Sequence, residues 1–160
     1  MPEIAKVGMG EYVISRAPGE IVVLGLGSCV GVCIYDPLLK LGAVAHVMLP
    51  DSRVAKTEFN PAKFADTAVP FLLSEMERYG ASDRGRLQIK LVGGARMFAS
   101  TGHNREIGAR NIAAVEAALA ALGLSPAARS VGGTCGKSLA LNLETGELKV
   151  RTLQVESLRL

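Results

Sequence analysis

Two short runs, residues 29–35 (CVGVCIY) and 43–49 (AVAHVML), are apolar at almost every position. Neither has a face suited to water. A strand of that kind belongs in the middle of a layered fold, with packing partners on both sides. The link between them, DPLLKLG, opens on the turn-forming Asp36-Pro37 and closes at Gly42, which suits two neighbouring antiparallel strands. Their register decides which side chains meet. If facing residue numbers sum to 77, Gly31 faces His46 and Cys29 faces Met48. Cys29 and His46 are then diagonal neighbours on one face, with Cα atoms roughly 7–8 Å apart. A sum of 78 would turn the two side chains to opposite faces.

The rest of the chain is read around this pair. Residues 11–16 and 20–24 are short strands on either side of a Pro18-Gly19 turn. A helix is expected from Asn60, with Pro61 at its first position and Gly80 as its C-cap. Phe64, Ala68, Phe71, Leu72 and Met76 form its apolar stripe, and Pro70 inside the pattern predicts a kink or break. Residues 87–92 form a strand ending at Gly93-Gly94, and a loop runs from Ser100 to Glu106. A second helix covers about Ile107 to Leu122, closed by Gly123. Residues 128–134, 137–143 and 147–153 are strands, the last two joined as a hairpin through Glu144-Thr145-Gly146. Eight strands and two main helices give an α/β chain of the α+β kind, with a mixed, mostly antiparallel sheet.

A length of 160 residues fits one domain, residues 1–160, and half the composition is apolar. The formal charge of +3 is too small and too dispersed for a nucleic-acid partner. The longest uncharged run, Ile21 to Tyr35, is shorter than the roughly 18 residues of a membrane span and is broken by three glycines, so no membrane insertion is expected. The N-terminus lacks the basic start and apolar block of a signal peptide. Three cysteines, an odd number, read as free thiols in a reducing, cytoplasmic setting.

The segment Gly25-Leu26-Gly27-Ser28-Cys29 carries the chemistry. Glycines at 25 and 27 free the backbone to adopt positive φ and let a substrate approach. A sharp turn there can aim the N–H groups around Gly27 and Ser28 at one point, as an oxyanion hole requires. Cys29 follows as a candidate nucleophile, and a cysteine nucleophile needs a base. His46, one of two histidines, is the candidate. The alternative reading makes both residues ordinary core, as a lone thiol or imidazole in an apolar strand often is.

Other motifs are weaker. Gly132-Gly133-Thr134-Cys135-Gly136-Lys137-Ser138 resembles the end of a phosphate-binding loop, but Val131 stands where its first glycine should be, and a strand follows in place of a helix. The spacing Cys29-x3-Cys33 with His46 is not a zinc pattern, so no metal site is expected. Cys33 reads as core, Cys135 as a turn thiol and His103 as a surface residue. Met97-Phe98 is either an exposed apolar pair for a partner or packed.

The stretches LGLGSCVGVCIYDP (Leu24 to Pro37), GAVAHVMLPDS (Gly42 to Ser52), KFADTAV (Lys63 to Val69), GGARMF (Gly93 to Phe98), IGARN (Ile107 to Asn111) and NLETGELKVR (Asn142 to Arg151) resemble the chemoreceptor glutamine deamidase family, CheD. The likeness covers nearly the whole chain. It implies a β-sandwich flanked by two helices, similar to the catalytic domain of the cytotoxic necrotizing factor toxins. It implies hydrolysis of glutamine side chains on methyl-accepting chemotaxis receptors to glutamate, through a thioester on Cys29 with His46 as base. No cofactor is implied. A CheC-type phosphatase is the implied partner. An alternative is a weakly active or inactive member that acts as a regulatory binding module. One departure bears on this choice. The family places a threonine, thought to orient the histidine, where this chain has Val23. Valine lacks the hydroxyl, so a backbone carbonyl or a water would have to take its place, and slower chemistry, or none, is expected.

Overall fold

A computed structural model describes residues 3–97 and 106–153. It places nine strands in two sheets. The first contains β1 (Glu3–Lys6), β3 (Gly19–Leu26), β8 (Gly136–Asn142) and β9 (Leu148–Leu153), ordered β1-β3-β8-β9. The second contains β2 (Tyr12–Arg16), β4 (Val30–Asp36), β5 (Leu41–Val47), β6 (Gln88–Gly93) and β7 (Ala128–Val131), ordered β2-β5-β4-β6-β7. Most pairs are antiparallel, while β1/β3 and β6/β7 run parallel. The two main helices are α1 (Ala65–Arg78) and α2 (Ile107–Ala121). This is the mixed α+β architecture expected from the patterning.

Strands β4 and β5 are buried at every position because the second sheet is covered on both faces. On one face Val30, Val32, Ile34, Leu41, Ala43, Ala45 and Val47 pack against Leu72, Leu73 and Met76 of α1 and Val115 and Leu119 of α2. Burial of each large side chain contributes roughly 1.5–3 kcal/mol. On the other face Cys33, Val44 and Val92 pack against Ile21, Val23, Leu26, Leu139 and Leu141 of the first sheet. The sheets come close here: a Cβ on Gly31 would lie 2.8 Å from Leu139, and one on Gly42 2.6 Å from Leu143.

Several local expectations change in the fold. The strands expected on either side of Pro18-Gly19 are present as β2 and β3, in different sheets. Pro18-Gly19 carries the chain from the second sheet into the first, since β2 pairs with β5 and β3 pairs with β1 and β8. Asn60 caps a short 3-10 turn, Pro61–Lys63, by accepting from the Ala62 N–H at 3.0 Å, and α1 proper starts at Ala65. Of the kink or break expected at Pro70, the break does not occur: α1 continues to Arg78. Pro70 sits on the exposed side, where water can satisfy the carbonyl its missing N–H leaves free. Strand β1, four mostly exposed residues, carries no apolar pattern that would have announced it.

Asp36 closes the β4–β5 connection. Its carboxylate is fully buried, accepts from the Leu38 and Leu39 N–H groups, and takes two parallel bonds from Arg86 at 2.8 and 2.7 Å. The Arg86 hydrogen bond foremost, with the two N–H groups, holds this carboxyl below the usual range against the opposing effect of burial. A depressed carboxyl contributes stability above its unfolded value, and that stability is lost as pH falls through the folded value. Asp36→Ala should therefore cost roughly 2–3 kcal/mol at neutral pH, a modest loss for a buried pair because Arg86 stays partly hydrated. Urea unfolding at neutral and acidic pH checks this. The gap between the two proteins should narrow once the pH drops below the ordinary carboxylate range.

Candidate active site

The β4–β5 ladder pairs Val30 with Val47 and Gly31 with His46, so facing numbers sum to 77. Gly31 looks toward Leu26 and Leu139 of the first sheet, so His46, directly opposite, lies on that inter-sheet face. Cys29, two residues before Gly31, packs against the same inter-sheet cluster. The thiol and the imidazole therefore share one side of the ribbon. His46 is buried, and Cys29 is half-buried at the mouth of the layer. Backbone bonds fix the histidine's strand: the His46 N–H donates to Glu11 at 2.9 Å, and its carbonyl accepts from Gly10 at 3.1 Å.

Burial pushes the Cys29 thiol up, with no opposing charge among the described residues. Burial lowers His46, against the opposing effect of the Val7 backbone carbonyl, which favours the protonated ring. Nδ1 of His46 is buried and has no hydrogen-bond partner among the described residues. Val23, at the position where the resemblance expects threonine, is buried in the same inter-sheet layer as Val7. Both shifts favour a neutral thiol beside a neutral imidazole.

The turn before Cys29 is held by its carbonyls. Gly27 O accepts from Ala95 N–H at 2.8 Å, Ser28 O from Asn111 Nδ2 at 3.0 Å and Cys29 O from Gly94 N–H at 2.7 Å. Among the described residues, no turn or loop hydrogen bond is donated by the N–H groups of Gly27, Ser28 or Cys29. The positive φ expected at Gly25 and Gly27 is not found. That conformation belongs to Gly93 and Gly94, at +108° and +66°. A side chain on Gly93 would collide with the Cys29 carbonyl. Gly25 lies in a bulge of β3 between Val23 and Leu26, and Met97 packs over Gly27, its sulfur 3.1 Å from where a Cβ would be. Met97 is thus packed, while Phe98 and His103 fall outside the described residues. Cys33 is buried core, and the glycine-rich turn holding Cys135 leads into β8, not a helix.

Sequence reading missed Asn111. It is fully buried on α2, in the core-facing series Gly108, Asn111, Val115 and Leu119. An amide in such an apolar stripe was the available signal.

A family model described as CheD chemotactic sensory transduction matches residues 48–152. The chain is also 51% identical over 145 residues to the chemoreceptor glutamine deamidase CheD of Thermotoga maritima, covering 91% of this chain and 89% of that protein. This chain belongs to the CheD family. It is 44% identical over 156 residues to the chemoreceptor glutamine deamidase CheD of Halalkalibacterium halodurans, with 96% of each covered. It is 41% identical over 155 residues to the probable chemoreceptor glutamine deamidase CheD of Syntrophomonas wolfei, again covering 96% of each. The family-model match begins just past His46, so the thiol and imidazole lie outside that match. Among the described residues of this CheD protein, no helix is long and apolar enough to cross a membrane.

With its thiol pushed up by burial, Cys29 of the folded protein should react with iodoacetamide more slowly than the same cysteine in urea, from about pH 6 to 9. Mass mapping of the label checks this. Faster labelling of folded Cys29 below about pH 8 would mean that a cation stabilises the thiolate.

Proposed function

We propose that this chain is a protein-glutamine deamidase acting on chemoreceptors, the activity its CheD relatives are named for. The observation that supports Cys29 as nucleophile and His46 as base is the ladder pairing Gly31 with His46, which sets both groups on one face. Cys29 attacks the carboxamide carbon of the glutamine, and its proton passes to His46 during the attack, since both groups rest neutral. The carbonyl oxygen becomes an oxyanion beside the N–H groups of the Gly27–Cys29 turn, which donate no turn or loop bond among the described residues. As the tetrahedral species collapses, the C–N bond breaks, the imidazolium proton goes to the departing ammonia, and a thioester remains. Neutral His46 then takes a proton from water, whose oxygen attacks the thioester. Glutamate leaves, and the proton returns to the Cys29 sulfur.

Residues 1–160 act as one unit in this scheme, in the cytoplasm, a compartment consistent with three cysteines that are all free. Receptors are the substrate, and a CheC-type phosphatase is the binding partner that family resemblance implies.

Val23 favours a second reading, a regulatory binding module with little catalysis. The presence of both Cys29 and His46 on one face of the ladder supports the first. Incubation with a receptor fragment separates the two. Wild type should give the unit mass gain of deamidation, Cys29→Ala should be slower by roughly 10³-fold or more, and Val23→Thr should be several-fold faster. A wild type as inert as Cys29→Ala would leave only the binding role.

A further inference from the structure

Asn111 stands on a helix, outside both strands that carry the proposed thiol and base. Its side chain crosses to them from the helix layer. The Nδ2 group donates to Ser28 O at 3.0 Å and to Met48 O at 2.9 Å. One amide thus ties the peptide before Cys29 to the chain two residues past His46. These two bonds also fix which end of the amide is nitrogen, since an oxygen there would face two carbonyls. The Oδ1 atom is buried without a partner among the described residues. An apolar residue at this place in the α2 stripe would avoid that unsatisfied acceptor. The amide therefore needs a reason beyond core filling.

Peptide geometry supplies one. In a trans peptide the C=O and the following N–H point in opposite directions across a rigid plane. Anchoring Ser28 O on Asn111 turns the Cys29 N–H away from α2. The Gly27 O bond to Ala95 does the same for the Ser28 N–H. α2 is itself set close against this region, because a side chain on Gly108 would collide with the Gly94 and Ala95 carbonyls. We infer that Asn111 is a positioning residue for deamidation: it fixes the Ser28–Cys29 peptide so that the Cys29 N–H serves as an oxyanion donor, and it sets that peptide's spacing from the strand that bears His46. The inference rests on the deamidase reading above.

The test compares two reactions of one thiol. Deamidation builds an oxyanion; alkylation by iodoacetamide, a displacement at carbon, builds none. Asn111→Leu removes both donors, and Asn111→Ser is a smaller variant should the leucine disturb folding; far-UV circular dichroism and a thermal melt select the folded one. With a receptor fragment, kcat should fall roughly 10- to 100-fold while KM stays within about threefold. The alkylation rate of Cys29 should stay within about threefold of wild type. Loss of kcat together with an equal change in alkylation would overturn the inference, because the turn would simply have come apart. So would a folded variant as active as wild type. If wild type itself gains no mass, the deamidase reading falls and takes this inference with it. An active wild type with an equally active variant removes only Asn111.

Discussion

The pairing of β4 with β5 is the constraint on which the rest of this structure depends. Both strands are buried on both faces, so every position in them is committed to one layer or the other. A slip by one residue would send Val30, Val32 and Ile34 into the inter-sheet layer and Gly31 and Cys33 toward the helices. Gly31 would no longer meet Leu139, and Val92 and Val44 would lose the small neighbours they pack beside. The same slip would part Cys29 from His46. The packing that stabilises the CheD fold is therefore also what sets the thiol and the imidazole on one side. The Asp36–Arg86 pair locks the far end of this ribbon, which leaves little freedom for the register to drift.

The site made by this register is prepared by position more than by charge. Among the described residues burial is the main influence on both groups, raising the Cys29 thiol and lowering His46, which favours their neutral forms. Proton transfer then has to accompany attack, and the charge that develops must be met by donors already in place. The turn before Cys29 suits that need. Three of its carbonyls are held by Ala95, Asn111 and Gly94, from the exit of β6 and from α2. The left-handed backbone at Gly93 and Gly94 lets that strand exit approach without side-chain collision. Support for the site thus comes from two backbone N–H groups and one side-chain amide.

Much of this was legible in the amino-acid sequence, for reasons that are local. Continuous apolar runs marked β4 and β5 as central, the Asp36-Pro37 start gave the connection, and a short link left few registers, one of which joins Cys29 to His46. The apolar stripe and Gly123 gave α2 nearly to the residue. What was missed depends on contacts distant in sequence. β1 is a strand only because β3 lies beside it. The sequence around Pro18-Gly19 shows two strands and a turn, but not that the strands belong to different sheets. The glycines of the Gly25–Cys29 segment suggested unusual φ angles, whereas the strain-prone positions are Gly93 and Gly94, across the ladder. Asn111 reads as one polar residue in a helix, and its purpose appears only when Ser28 and Met48 are brought to it.

The placing of Cys29 and His46 together can be tested without any substrate. The chain has two histidines, so the ring signals of His46 can be assigned by nuclear magnetic resonance with one substitution. Alkylation of Cys29 should move those signals and shift the pH at which His46 titrates, since the modified sulfur would sit against the ring. Ring signals and a titration that are identical before and after alkylation would place the two groups apart, and the proposed site would have no base.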